Sequence, residues 1–289
     1  MPPPESPEEQ GNTAQIAYWN DKAGVTWTAF QERLDALFEP ITALAISAAA
    51  PAPGERVIDI GCGCGATVLA LADRVGPTGH LLGLDVSEPM SARARQRIEA
   101  ASLTNATVVV SDAATHTFTE PSADLLFSRF GVMFFADPVA AFANLRTAMR
   151  PGGRLLCVAW RPLTDNPWFS VPLEAARGLL PPQPPTEPDA PGPFAFANAD
   201  RTLGIFTRAG WRDTTLTRKD VPMQFAAAGQ LEQAVEFATR VGALARMLVD
   251  EGPEVRSRVR QAVGDVLKTH DGRDGINLSG SVWLISARA

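Results

Sequence analysis

The run from Val57 to Ala72, VIDIGCGCGATVLALA, constrains this chain more than any other feature. It reads as an apolar strand, a glycine-rich turn and the opening of a helix. Gly61, Gly63 and Gly65 let the backbone bend tightly and approach a ligand where a side chain would intrude, while the following helix points its unpaired N–H groups into the same gap. Such a loop marks a nucleotide-cofactor crevice. Gly61, Gly63 and Ala66 also satisfy the dinucleotide pattern G-x-G-x-x-G/A, so the loop alone leaves several Rossmann-like classes open. Asp59, two residues ahead of the first glycine, narrows them. A pyrophosphate would gain nothing from a carboxylate there, whereas a ligand carrying a cation would.

The alternation continues along the first half. His80 to Leu84 is a second apolar run ending in Asp85, which puts a carboxylate at the C-terminal end of a strand, where open α/β sheets bind ligands. A third run, Ala106 to Val110, leads into Ser111-Asp112-Ala113. A fourth, Asp124 to Phe127, leads into Ser128-Arg129-Phe130-Gly131, so each strand ends on polar residues at one rim. A helix over Pro138 to Met149, the turn Arg150-Pro151-Gly152-Gly153 and a strand over Arg154 to Trp160 close another unit.

These residues resemble the class I S-adenosylmethionine-dependent methyltransferases, in particular the group related to the ubiquinone/menaquinone-biosynthesis methyltransferases, over roughly Tyr18 to Trp160. The resemblance implies a Rossmann-like, doubly wound seven-stranded α/β sheet with an antiparallel last strand, N-terminal helices and a helical cap insertion. It implies S-adenosyl-L-methionine as cofactor, with S-adenosyl-L-homocysteine as product. Asp59 then contacts the methionine end of the cofactor, partly through water, behind the loop of Gly61, Gly63 and Gly65. Asp85 binds both ribose hydroxyls, with Val86 beside it. Asp112 and Ala113 read the adenine, and Met90 packs on its face. Arg129 and Trp27 join the same site, and Tyr18, Trp19 and Trp27 are candidates for a lid. After the fourth strand stands FSRFGVMFF, Phe127 to Phe135, and not the Asn-Pro-Pro-Tyr type of motif used on amino groups of adenine or glutamine.

The expected organisation is a disordered tail over 1–12, a helical lid over 13–50, the cofactor-binding core over 51–160, and the rest of the sheet with a substrate cap over 161–289. Pro40 marks a break or new start in the N-terminal helices. The proline-rich stretch 181–193 reads as a stiff connector. Helical patterns over about 225–268, followed by a strand SVWLISARA, form the cap and close the sheet. Of the aromatic and methionine side chains in this half, most read as core and a minority as the lining of an apolar pocket.

A formal charge of −6 opposes a broad nucleic-acid footprint, and no apolar run is long enough to span a bilayer. The expectation is a cytoplasmic monomer or homodimer acting on a small molecule, apolar or quinone-like. No metal is expected: Cys62, Cys64 and Cys157 read as buried or half-buried thiols. Among the histidines only His270 qualifies as a general base. Arg93, Arg95 and Arg97 read as a solvated helix surface. Two other readings share the loop. An NAD(P)-dependent oxidoreductase is opposed by Asp59, by Asp112-Ala113 and by the terminal strand; a non-catalytic binding protein would be favoured by a missing acceptor pocket.

Overall fold

A computed structural model describes residues 7–182, 187 and 190–289, with only the backbone described over 7–11. The tail expected over 1–12 therefore lies partly outside the described residues, as does part of the proline-rich connector. Helix α1 (Pro7–Asn20) begins within that stretch, at a proline whose fixed φ suits a first helical turn. Helices α2 (Lys22–Ala29) and α3 (Gln31–Ala49) follow. Pro40 lies inside α3 and neither breaks nor starts it. Leu34, Leu37, Phe38, Ile41 and Ala45 are buried on both sides of the proline, and this shared apolar face holds the two halves in line.

The sheet is built from β1 (Arg56–Ile60), α4 (Ala66–Val75), β2 (His80–Asp85), α5 (Glu88–Ala100), β3 (Ala106–Val110), β4 (Ala123–Arg129), α6 (Pro138–Thr147) and β5 (Met149–Trp160). These five strands are parallel, in the spatial order β3-β2-β1-β4-β5. Helices cover both faces of such a sheet, and its strands accordingly read as continuous apolar runs. In β4, Leu125, Leu126 and Phe127 are fully buried. The turn expected at 150–153 is absorbed into β5, which starts at Met149 against Ala123 through a register irregularity.

Helices α7 (Pro167–Ala175) and α8 (Ala199–Arg208) lead to β6 (Arg212–Ala226). Then come α9 (Leu231–Arg240), α10 (Ala243–Met247), α11 (Pro253–Lys268), the two-residue β7 (Asp271–Gly272) and β8 (Gly275–Arg288). Strand β8 runs antiparallel between β5 and β6, with Ile285 opposite Cys157 on one side and Leu216 on the other. Apart from β7, which pairs only with β8, the sheet has the expected seven strands and the expected antiparallel last strand. The cap differs in detail. Phe225 and Ala226 belong to the end of β6, where Ala226 pairs with Ile276 of β8 past an irregularity at Phe225, so the helices of the insertion begin only at Leu231.

Candidate active site

Strand order reverses at β1, whose neighbours are β2 on one side and β4 on the other. The connections leaving these strands part there and open a crevice at their C-terminal ends. The two loops nevertheless touch at the base of the crevice. Gly61 has φ +65°, and a Cβ on it would stand 2.5 Å from the Cα of Gly131; one on Gly131 would stand 2.5 Å from the carbonyl oxygen of Ile60. The Ser128 hydroxyl fastens the junction, donating to the Ile60 carbonyl at 2.7 Å and accepting from the Gly131 N–H at 3.2 Å. Gly61 thus makes room for another backbone, while it also lines the cavity above the junction.

A large cavity fills the crevice, and one half of it is polar. Asp85 receives the Gly63 N–H on Oδ2 at 2.7 Å and the Ser87 N–H on Oδ1 at 2.9 Å. These bonds fix both carboxylate oxygens, each of which keeps lone-pair capacity for a further donor. Burial pushes the Asp85 carboxyl upward while the backbone donors oppose the shift. Val86, Met90, Ser111, Asp112 and Ala113 complete this half with Gly63. Asp59 lies one layer deeper and does not line the cavity. Its Oδ2 accepts from the Thr67 hydroxyl at 2.5 Å, while Oδ1 is buried without a partner. Burial lifts its pKa from 3.8 to about 7, against the Thr67 bond and the Arg129 charge. Gly65 also lies off the cavity. It caps α4 at φ +83°, and a Cβ on it would stand 3.0 Å from that of Ala94.

The N-terminal helices strap this half down. From α1, the Asn12 amide donates to Asp112 Oδ2 at 2.9 Å. Asn20 donates to the Val86 carbonyl at 2.8 Å and accepts from the Glu88 N–H at 2.9 Å, and the Ser87 hydroxyl donates to the Trp19 carbonyl at 2.7 Å. Trp19 meets Trp27 and Phe134 edge to face, so Tyr18, Trp19 and Trp27 do face the cavity. Arg93 and Arg97 are four residues apart on one face of α5, and α3 uses both. Arg93 donates to Gln31 at 3.1 Å, and Arg97 pairs with Asp35 at 2.8 Å while donating to the Cys64 carbonyl at 2.7 Å. The solvated reading of this cluster therefore fails for these two. An i, i+4 pair presents one face, and that face meets a helix instead of water.

The other half of the cavity is aromatic. Phe130, at the end of β4, holds φ +69°, a left-handed conformation that L side chains rarely adopt. Its ring stacks on Trp160 at 4.2 Å with planes 9° apart. Trp168 lies against both Trp160 and Phe169, and Phe38 contacts Phe130, Trp160 and Trp168. Arg129 places its guanidinium 5.3 Å from the Phe38 ring centre and donates to the Thr42 hydroxyl at 2.5 Å. From the cap only the α9–α10 corner reaches in, through Val241, Gly242, Ala243 and Arg246. Phe196, Met223, Phe225 and Phe237 are core, as most of that set was expected to be.

Of the residues singled out in the sequence, Gly61, Gly63, Asp85, Val86, Met90, Asp112, Ala113, Arg129 and Trp27 line the cavity together with Tyr18 and Trp19, and Asp59 and Gly65 do not. Sequence reasoning missed Asn12, Gln31, Asp35, Phe130 and Trp160. The Ser87-Glu88-Pro89 sequence does carry a signal, that of a capped helix start beside the ligand rim. His270, the one histidine that qualified as a candidate general base, is not among the cavity-lining residues, and His116 is hydrogen-bonded to Ser111 at 2.9 Å. The three cysteines are free and buried, with Cys62 and Cys64 flanking Gly63.

Comparison with known proteins agrees with this geometry. Residues 57–153 match the family described as methyltransferase domain. Aklanonic acid methyltransferase DauC of Streptomyces sp. (strain C5) is 36% identical over 118 residues, which cover 41% of this chain and 54% of that protein. Demethylmenaquinone methyltransferase of Listeria welshimeri is 30% identical over 105 residues, covering 36% and 44% respectively. The chain therefore matches about half the length of these curated relatives. Among solved structures, a Haemonchus contortus phosphoethanolamine N-methyltransferase 2 in complex with S-adenosylhomocysteine superposes with a TM-score of 0.57 at 16% identity, covering 100% of this chain and 61% of that one. At that identity the likeness shows the fold.

Proposed function

We propose that this chain, which carries a class I S-adenosylmethionine-dependent methyltransferase domain, moves the methyl group of that cofactor to a small planar acceptor. The observation that carries the reading is the pairing of two unlike half-cavities in one crevice. Asp85 is held by backbone donors with acceptor capacity to spare, and it opens directly onto an aromatic enclosure.

The residues present fit the cofactor. Asp59 Oδ1, buried and without a hydrogen-bond partner, leaves an acceptor beside the glycine loop that a cationic group would favour in its ionised form. Asp85 is the candidate for the ribose hydroxyls, Asp112 and Ala113 for the adenine edge, and Met90 and Val86 for its faces. Trp27 and Trp19 close over the site, and Arg129 lies at its inner end. A methyl group on a sulfonium is already activated, so the protein's contribution is alignment and exclusion of water. The strap of α1 and α2 does the excluding. The Phe130–Trp160 stack and its neighbours do the aligning, since flat aromatic walls leave a slot for a flat molecule. One relative's name carries a quinone, demethylmenaquinone, which is consistent with such a slot.

Calorimetric titration with S-adenosylhomocysteine and with NADH tests the cofactor. Binding of the first and not the second is expected, and the reverse would return the chain to the oxidoreductases. Labelled methyl transfer into a metabolite extract tests the reaction, with label expected in aromatic products. Label confined to aliphatic amines would overturn the planar acceptor.

A further inference from the structure

The charges that line the cavity are not equally occupied. Asp85 is held by the Gly63 and Ser87 N–H groups, Asp112 by Asn12 and its own turn at Ala114, and Asp35 by Arg97 and Gln31. Among the described lining residues there is no histidine, glutamate or lysine, and burial raises the thiols of Cys62 and Cys64. The cations differ. Arg129 uses one of its five N–H donors on Thr42. The side chain of Arg246, on α10, makes no hydrogen bond or ion pair among the described residues; its guanidinium faces the Tyr18 ring, 5.8 Å from its centre. A ring face engages none of its donors.

Arg246 also stands at a defined place. The α9–α10 corner lies on the aromatic side of the cavity, where a Cβ on Gly242 would come 3.9 Å from the Phe169 ring. The Tyr18 contact ties this corner to the lid. The charge of the acceptor half not used within the protein is therefore positive, and it belongs to Arg246, an exposed residue on the lining and so at the mouth of the cavity.

Resting on the methyltransferase reading above, we infer that the acceptor is a planar acid, a carboxylate or an acidic phenol, whose ionised oxygen is recognised by Arg246 at the mouth of the aromatic cavity. This choice also fits the want of a free base. An ionised acceptor oxygen forms the new C–O bond with its own lone pair, the S–C pair stays on sulfur, and no proton has to be removed. A sulfonium and an oxyanion become a neutral thioether and a neutral ester or ether, so charge balances.

The test uses the full chain and two probes of one shape, 2-naphthoate and the neutral 2-naphthylmethanol. Calorimetry with S-adenosylhomocysteine comes first, and absence of binding there overturns the methyltransferase reading itself. The probes are then compared on the loaded and the unliganded protein, so that the two failures separate. On the loaded protein, 2-naphthoate is expected to bind about tenfold more tightly than the alcohol, the scale of one charge-assisted hydrogen bond. Arg246→Gln should erase that preference, and Arg246→Lys should keep part of it. Cofactor-product binding together with no preference for the acid, no binding of the acid, or a preference untouched by Arg246→Gln overturns the inference and leaves the methyltransferase reading standing.

Discussion

The two halves of the cavity are built by different rules. The polar half is made by short segments, each a strand end and the few residues after it, and its side chains are fixed by backbone donors from the same or the neighbouring loop. The aromatic half is assembled from α3, the ends of β4 and β5, α7 and the α9–α10 corner, which are far apart in the sequence. One is local and rigid; the other is long-range and tunable. The difference predicts where substitutions damage the fold and where they change only the acceptor. The largest effect is expected at the base of the first half. Gly61→Ala puts a Cβ against the Gly131 backbone in a left-handed conformation, so two loops must part; overpacking and strain together should cost about 3 kcal/mol or more. A denaturant midpoint unchanged from the native protein would refute that account.

Next in size is Asp85, proposed for the ribose hydroxyls. Asp85→Ala should weaken S-adenosylhomocysteine binding by about 1.5–3 kcal/mol, the range for hydrogen bonds to a charged group, with calorimetry as the readout. Binding within twofold of native would detach the ligand from the end of β2. Asp59 supplies a smaller, pH-dependent effect. Its pKa is raised by burial to about 7, so the folded protein holds a proton that the unfolded chain releases near 3.8. Its contribution to stability is therefore full below about 4 and is lost as pH rises through about 7. Cofactor binding should run the other way. A cation beside Asp59 favours the carboxylate, so affinity should rise by up to about tenfold per pH unit below 7 and level off above it. Asp59→Asn should flatten both slopes; slopes that persist in that variant would assign the proton elsewhere.

Legibility in the sequence follows the same division. Strands β2 and β3 stand at the residues where the apolar runs placed them; β3 is an edge strand that buries only Val108, so there the signal is its run of β-branched residues bounded by turn residues and not burial on both faces. Asp85, Asp112 and Met90 follow from strand ends, since the C-terminal rim of an open sheet is where loops diverge. Asp59 was legible in position but not in state: nothing in the sequence says that one oxygen is tied to Thr67 and the other left alone. Pro40 shows the opposite failure, a local rule overridden by the apolar face that α3 shares with the sheet. Trp160 and Phe130 could not be paired from sequence at all. Their stacking depends on β4 lying beside β5 and on a backbone conformation that Phe130 does not itself prefer.

The smallest predicted effects sharpen the comparison, because they should separate the halves without unfolding either. Asn12 reaches from α1 to Asp112 in the polar half, while Phe169 stands half-buried in the aromatic one. Asn12→Ala removes the strap's hydrogen bond to Asp112 and a longer one, at 3.4 Å, from the Ala136 N–H, so release of S-adenosylhomocysteine should quicken several-fold, a change of about 1 kcal/mol, with the acceptor preference unaltered. Phe169→Ala removes the ring that faces Trp168 and Trp160, worth about 0.5–1.5 kcal/mol for an aromatic contact, and should raise the KM for the acceptor while leaving cofactor affinity within twofold. Stopped-flow release and acceptor kinetics read the two variants side by side. If Phe169→Ala instead loosens the cofactor as Asn12→Ala does, the cavity is one cooperative site and the division fails. If each acts only on its own ligand, the strap sets how long the cofactor stays and the aromatic wall sets what receives the methyl group.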